Sequence, residues 1–217
     1  SGGSRTPLET AKLIGADKFQ ERGKYGEGVV IACIDSGCDI NHPNLKDRIV
    51  GYKNFTDDDR YDPNNVTDYL GHGTHTAGII GASDIGDKGI IGVAPKCGIL
   101  VLKALSTRGG KTAWVTEAIK CAIKQNVDII SMRLGSARGD TDMRKAIQKA
   151  ISKGIPVVVA CGNNGDNKAT TVEINYPAGF NECISVGSVS YSKSKSRFSA
   201  TNNEVDLVCF GEGYNSR

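Results

Sequence analysis

The sequence has no long apolar run and no marked excess of either charge. No stretch approaches the roughly 20 consecutive apolar residues that a membrane-spanning helix requires, and the chain opens with Ser1-Gly2-Gly3-Ser4, which carries no signal peptide. The 27 Lys and Arg residues nearly balance the 24 Asp and Glu residues, so the net charge is only +3 and no long basic run occurs. We therefore expect neither a membrane nor a nucleic acid as a partner.

Paired cysteine motifs are also missing. The chain has seven cysteines, an odd and dispersed set, and none of them forms a C-x-x-C pair or a recognisable zinc spacing. Several lie within apolar runs, where a reduced cysteine behaves as a small hydrophobic residue. We therefore expect free thiols and a reducing, cytoplasmic compartment.

Internal repeats and low-complexity segments are absent as well, and 217 residues suit one domain, residues 1–217. Runs of β-branched residues alternate with segments whose apolar residues recur at helical spacing, as at Val115, Ala118, Ile119 and Ala122. This alternation predicts an α/β fold with a mostly parallel central sheet and helices on both faces. The predicted strands are residues 29–34, 98–103, 127–132, 156–160, 183–189 and 205–210, and the predicted helices are residues 6–19, one that begins near residue 72, 114–123 and 143–151.

One long polar segment interrupts this alternation. Residues 41–70 are rich in Asp, Asn and Pro, which predicts a surface excursion outside the core. Within it, the acidic run Asp57, Asp58 and Asp59 could bind calcium through its oxygens or could simply be solvated. The solvated loop is the interpretation we favour.

Two histidines three residues apart, His72 and His75, lie in a glycine-rich stretch at a predicted helix start. A histidine placed there can accept and return a proton near neutral pH, although without a partner it is as readily a core or surface residue. Asp35 is a candidate partner because it ends a buried strand, where ligands and catalytic groups gather in α/β sheets. Taken alone, Asp35 is more simply a loop-capping residue. Together, the two predict a carboxylate that orients an imidazole, as in acyl-transfer triads.

Six short motifs surround these residues in a distinctive order. They are VIACIDSG (30–37), GHGTHTAG (71–78), GVAP (92–95), ISMRLG (130–135), VVACGN (158–163) and YPA (176–178). In this order and at these spacings they resemble the subtilisin-like serine proteases from about residue 13 to residue 210. The cysteine content and the motif surroundings are most similar to the intracellular branch of that family.

The resemblance implies a three-layer subtilisin-like fold and a set of site residues. Asp35 would orient His72, His72 would be the general base and acid, and the side chain of Asn163 would donate to the oxyanion. His75 would pack inside the helix, and no organic cofactor is implied. The walls that would clamp an extended peptide as an added strand are Gly109 and Gly110 on one side and Arg133, Leu134 and Gly135 on the other.

The chain departs from the family pattern where the nucleophile is expected. The family places its serine in a Gly-Thr-Ser motif after the strand equivalent to residues 205–210, and residues 211–217 contain only Ser216, too early and in another context. We therefore expect the fold to be C-terminally incomplete and this chain alone to be inactive. The chain is then part of a longer protein, or an enzyme nicked after Arg217 whose separate segment carries the serine, or a naturally inactive relative, in that order of preference.

Two further departures concern specificity and metal binding. Arg133 stands where the family usually has serine, so a long cation would obstruct the substrate groove or favour acidic substrates. Asn44 stands where the family usually has a calcium-ligating aspartate, and the segment with Asp84 and Asp87 differs from the usual loop. Calcium, with these three residues as candidate ligands, is thus an open expectation, because a neutral ligand lowers the affinity of such a site.

Four functions follow, in order of preference. The first is a serine endopeptidase that hydrolyses peptides or proteins with an Asp-His-Ser triad. The second is an inactive pseudoprotease that binds peptides or partner proteins. The third is a metal site built from His72, His75 and Asp35, which lacks the acidic base of H-E-x-x-H. The fourth is a Cys-His enzyme that uses Cys161 or Cys38.

Overall fold

The computed structural model describes residues 23–83, 85, 92–132 and 141–160 and the backbones of the strands Ile184–Val189 and Val205–Phe210. The strands are β1 Val30–Asp35, β2 Ile49–Asn54, β3 Gly98–Lys103, β4 Leu105–Ser106, β5 Gly109–Gly110, β6 Ile129–Met132, β7 Val157–Ala160, β8 Ile184–Val189 and β9 Val205–Phe210. The helices are α1 His72–Gly81, α2 Thr112–Lys124 and α3 Thr141–Ser152.

Seven strands form one sheet in the order β2-β3-β1-β6-β7-β8-β9, and every neighbouring pair in it is parallel. Parallel neighbours require crossover connections, and a helix lies in the one between β2 and β3 and in the one between β6 and β7. The remaining two strands, β4 and β5, form a short antiparallel hairpin directly after β3. The mostly parallel sheet predicted from the sequence is confirmed.

The two faces of the sheet pack against different helices. Side chains at alternating positions of a strand point to opposite faces. On one face, Ala32 and Ile34 of β1 and Leu100 and Leu102 of β3 share a core with α2 and α3. On the other face, neighbouring positions of the same strands, Cys33 of β1 and Ile99 and Val101 of β3, pack with Ala77 of α1. The result is the predicted arrangement of three layers.

Helices α2 and α3 bury the same spacing of apolar residues. In α2 the buried apolar positions are i, i+3, i+4 and i+7 from Val115, and in α3 they are the same positions from Met143. This spacing makes one stripe along a helix, and the two stripes meet in the first core. The exact agreement with the sequence pattern explains why both helices were predicted to within two residues at each end.

Residues 41–70 lie largely at the surface, as predicted, but part of the segment is buried. The segment contains β2, and Leu45, Thr56 and Val66 are at most 2% exposed. Its polar side chains fold back onto their own backbone: the amide nitrogen of buried Asn54 donates to the carbonyl oxygens of Asp58 and Asp62. The polar side chains therefore satisfy the buried part of the loop from within, while the rest of the segment faces solvent.

The predicted helix at 6–19 lies outside the described residues. Within the part of the chain that is described, no helix is both long and apolar enough to cross a lipid bilayer.

Candidate active site

Asp35 is the last residue of β1, the strand on either side of which the rest of the sheet is built. After β1 the chain builds β2 and β3 on one side, then returns to build β6 to β9 on the other. Such a reversal opens a crevice at the carboxyl ends of the strands, where ligands bind in open α/β sheets. Asp35 therefore lies at the mouth of that crevice, between the ends of β3 and β6.

His72 begins helix α1 beside this strand end. Gly37 follows β1 and Gly73 is the second residue of the helix, and a Cβ atom on Gly73 would collide with the carbonyl oxygen of Gly37. The two backbones can approach this closely only because Gly73 has no side chain. This close approach brings the first turn of α1 against the end of β1.

The Asp35 and His72 side chains are in direct contact. Nδ1 of His72 lies 2.8 Å from Oδ1 of Asp35, which also accepts a hydrogen bond of 2.7 Å from the backbone N–H of Ser36. Asp35 is 3% exposed, whereas the His72 side chain is 34% exposed. An ionised carboxylate only accepts hydrogen bonds, so the proton of the neutral imidazole belongs on Nδ1. Nε2 then carries a lone pair, which suits it to act as a base.

A second carboxylate, Asp68, links the segments that carry this pair, and the sequence reasoning missed it. Asp68 accepts hydrogen bonds from Ser36, which follows Asp35, and from Thr74, in the first turn of α1. Burial is the largest single influence on the pKa of Asp68 and would raise it, but the hydrogen bonds from Thr74, Ser36 and Leu70 hold that pKa below its usual value. Asp68 lies four residues before His72 and belongs to no repeating pattern of apolar residues. Only its position just before a predicted helix could have suggested that it caps the helix N-terminus.

A buried ion pair anchors the neighbouring hairpin. Lys103 ends β3 in register with Asp35, and its Nζ lies 2.9 Å from Oδ2 of Asp58 and 2.6 Å from the carbonyl oxygen of Thr67. Asp58 also accepts from the backbone N–H and hydroxyl of Thr107, in the turn of the β4-β5 hairpin. The two predicted wall residues, Gly109 and Gly110, are exposed on that hairpin, next to the crevice. The solvated interpretation of the acidic run therefore fails for Asp58.

Comparison with known proteins identifies the family of the chain. The family model described as "Subtilase family" matches residues 26–216, nearly the whole chain. The chain belongs to the subtilase family.

Individual relatives show how much of a subtilase is present. The chain is 44% identical over 206 residues to the Major intracellular serine protease of Bacillus subtilis strain 168. These 206 residues are 94% of this chain and 64% of that protein. It is 47% identical over 188 residues to the Intracellular serine protease of Paenibacillus polymyxa, covering 86% of this chain and 57% of that protein. Subtilisin E of Bacillus subtilis is 37% identical over 199 residues, or 91% of this chain and half of that protein. The chain thus spans about three fifths of the two intracellular relatives.

Several predicted site residues of this subtilase lie outside the described residues. They are Asn163, Arg133, Leu134, Gly135, Asp84 and Asp87, together with Cys161. The third calcium candidate, Asn44, is buried, and its amide nitrogen donates to the carbonyl oxygen of Ser83 at 2.9 Å. Asn44 therefore lies next to the segment that holds the other two candidates, and its side-chain oxygen is of the ligand type that calcium takes.

The structure argues against the alternative metal site and against Cys38 as a nucleophile; the other candidate cysteine, Cys161, lies outside the described residues. Within the described part of this subtilase, no three His, Cys, Asp or Glu side chains converge on a point that could hold a metal ion, so His72, His75 and Asp35 do not form the metal site considered from sequence. Burial raises the pKa of the Cys38 thiol to about 12. At neutral pH such a cysteine is almost entirely protonated and is therefore a poor nucleophile.

Proposed function

We propose that this subtilase is a serine endopeptidase in which Asp35 and His72 are two of the three residues of an Asp-His-Ser triad. The observation that carries the proposal is the 2.8 Å contact between a buried carboxylate and a partly exposed imidazole at the switch point of the sheet. The serine would be supplied by residues that follow Arg217, in the same chain or in a separate segment. The greater length of the relatives named as serine proteases supports this placement.

The chemistry follows from the tautomer that Asp35 selects. Nε2 of His72 would remove the proton of the serine hydroxyl as it attacks the peptide carbonyl, and would then return that proton to the leaving amine. Asp35 would stabilise the imidazolium that forms between these steps. Asn163 would donate a hydrogen bond to the oxyanion, where a preorganised donor has its largest effect.

The substrate would be a peptide or protein bound as an extended strand. The exposed hairpin of Gly109 and Gly110 directly follows β3, whose last residue is in register with Asp35, and this supports the placement of one wall. Arg133, Leu134 and Gly135 would form the other wall, because they follow β6 on the opposite side of β1. With Arg133 at the groove, we propose a preference for acidic side chains in the substrate.

Two further proposals concern the setting of the enzyme. A cytoplasmic location is supported by the names of the two relatives called intracellular. A calcium ion held near Asn44, with Asp84 and Asp87, would cross-link the segment after α1. Oxygen ligands from a buried amide and two carboxylates suit calcium, although the neutral amide weakens the site.

A fluorophosphonate probe tests the proposed function, since it reacts only with an activated serine. The full-length protein, including whatever residues follow Arg217, should be labelled, and mass spectrometry should place the label on a serine in a Gly-Thr-Ser motif. The His72→Ala variant should not be labelled. The control variant Tyr61→Ala, which changes an exposed residue in the segment before His72, should be labelled normally. A folded full-length protein that takes no label would contradict the enzyme and leave the peptide-binding pseudoprotease.

A further inference from the structure

The helix that carries His72 lacks a capping side chain of its own. Its N-cap residue is Gly71, so the first backbone N–H groups of α1 need acceptors from elsewhere. The N–H of Gly73 donates to Oγ of Ser36 at 2.9 Å, and the N–H of Thr74 donates to Oδ2 of Asp68 at 2.8 Å. Two side chains from outside the helix therefore cap it, and one of them immediately follows Asp35.

The carboxylate of Asp68 joins these caps into one unit. Its Oδ1 accepts from the hydroxyl of Ser36 at 2.7 Å and from the N–H groups of Leu70 and Gly71 at 3.2 Å and 2.9 Å. Its Oδ2 accepts from the N–H and the hydroxyl of Thr74 at 2.8 Å and 2.7 Å. Both oxygens are thus engaged, one with the β1 end and the loop, the other with the helix.

This arrangement controls the distance between the two functional side chains. Ser36 is bonded to Asp35 in sequence, and its N–H also donates to the Asp35 carboxylate. Thr74 lies two residues after His72 on the same helical turn. The close contact between Gly73 and the carbonyl oxygen of Gly37 prevents the helix from moving nearer to β1, but not from sliding, tilting or moving away. The hydrogen bonds that Asp68 accepts from Ser36 and from Thr74 resist those movements.

We infer that Asp68 is a positioning residue that holds His72 in hydrogen-bonding register with Asp35. The inference rests on the proposed function for its catalytic meaning, although the link between the two segments exists in any case. Asp68 acts through Ser36 and Thr74 rather than on the substrate. Its loss should therefore lower kcat and leave KM nearly unchanged.

The test compares Asp68→Ala with Asp62→Ala in the full-length protein. Asp62 is an exposed aspartate of the same loop whose carboxylate accepts from the N–H of Asn64, two residues away. Both variants lose one negative charge, but only Asp68→Ala cuts the link to α1. We expect kcat of Asp68→Ala to fall about 10²-fold, the effect of misplacing a catalytic group by roughly 1 Å. Asp62→Ala should stay within about twofold of wild type.

Two milder variants cover the case in which Asp68→Ala does not fold. Asp68→Asn keeps one acceptor oxygen and should recover part of kcat, and Ser36→Ala removes one of the two caps and should lower kcat less than Asp68→Ala does. A kcat of Asp68→Ala within twofold of wild type would overturn the inference. If Asp68→Ala does not fold, values within twofold of wild type in both single variants, Asp68→Asn and Ser36→Ala, would overturn it. An equal loss in Asp62→Ala would overturn it as well.

A readout without substrate separates this inference from the proposed function. The proton between Nδ1 of His72 and Asp35 should give a strongly downfield proton NMR resonance in the wild-type protein. In Asp68→Ala and Asp68→Asn this resonance should shift or broaden, and in Asp62→Ala it should not. If wild type shows the resonance but no hydrolysis, the proposed function fails while the positioning role stands. If the resonance is the same in every variant, the positioning role is wrong whatever the activity.

Discussion

Replacing Lys103 with methionine should destabilise the fold strongly, because Lys103 is a fully buried cation at the end of β3 that binds Asp58 and Thr67 in the segment before His72. Lys103 is 0% exposed, and the side chain of its partner, Asp58, is 9% exposed. Methionine keeps most of the apolar stem but removes the ammonium group from Asp58 and from the carbonyl oxygen of Thr67. The carboxylate of Asp58 would stay near the interior without its counter-charge.

The expected loss follows from that uncompensated charge. Removing one partner of a buried ion pair costs about 3–5 kcal/mol. Asp58 keeps the hydrogen bonds from the N–H and hydroxyl of Thr107, so we expect about 3 kcal/mol, the lower end of that range. In a protein of roughly 150–250 residues such a loss corresponds to a fall in Tm of about 6–12 °C, and in a longer full-length protein the fall is smaller.

Thermal and urea unfolding of the full-length protein measure this loss, with Lys120→Met as the matched control. Nζ of Lys120 lies 3.2 Å from Glu117, but both side chains are 59% exposed, so its loss should change the free energy of unfolding by less than about 0.5 kcal/mol. The double variant Lys103→Met with Asp58→Asn should be more stable than Lys103→Met alone, because it removes the orphaned charge. Equal effects of the two methionine variants, or no recovery in the double variant, would refute the reasoning.

The same pair predicts a pH dependence. Burial is the largest influence on the pKa of Asp58 and would raise it, but the hydrogen bonds from Lys103 and Thr107 together hold that pKa below its usual value. A carboxyl group with a depressed pKa stabilises the fold above its unfolded pKa, about 3.9, and loses that contribution as the pH falls through the folded value. The difference in stability between wild type and Lys103→Met should therefore shrink below about pH 4. A difference that is constant from pH 7 to pH 3 would contradict this assignment.

Three further outcomes are expected. Gly73→Ala should lower both Tm and kcat, because the new Cβ would collide with the backbone of Gly37, shortly after Asp35. Gly154→Ala, whose Cβ would meet no atom within 4 Å, should lower stability and leave kcat unchanged. The same kcat in both variants would contradict this expectation. In timed iodoacetamide labelling at pH 8, followed by peptide mass spectrometry, partly exposed Cys121 should react before Cys38, which is 2% exposed, and the reverse order would contradict the assigned burial. Calcium should raise Tm relative to chelator, and more in Asn44→Asp than in wild type because a charged ligand binds calcium more tightly; a Tm indifferent to calcium in both proteins would remove the proposed site.

The parts of the fold that sequence could predict are those that repeat along the chain. The stripes from Val115 in α2 and from Met143 in α3 recur at helical spacing, and the apolar runs of β1 and β3 mark strands covered on both faces. Hydrophobic burial imposes these periods locally, so they are visible without a structure. The single-domain organisation from residue 1 to 217 stays a prediction.

The buried contacts of the polar loop were not predictable, because they follow no repeating pattern along the chain. The bonds of Asn54 to Asp58 and Asp62 depend on a particular loop path and leave no period in the sequence. The same holds for Asp68, whose five hydrogen bonds link segments that lie far apart in the chain. Composition alone made this segment resemble a solvated surface.

The contact between Asp35 and His72 was predicted from the sequence, whereas its place in the sheet was not, and the catalytic roles of both residues stay predictions. Asp35 and His72 are 37 residues apart and do meet, as the strand end and helix start suggested. The position of that meeting at the switch point depends on the order of strands in the sheet, which pairing between distant segments decides. The roles of Asn163, of the wall residues and of calcium remain predictions.

The most direct test of the account is the kcat of Asp35→Asn in the full-length protein, measured on a chromogenic peptide. An amide at this position can donate to Nδ1, which favours the proton on Nε2 and leaves His72 unable to accept one from the serine. In Ser-His-Asp enzymes, loss of the orienting carboxylate lowers kcat by about 10⁴-fold, and a loss of that size with an unchanged Tm is what the account predicts. A kcat within tenfold of wild type would contradict it.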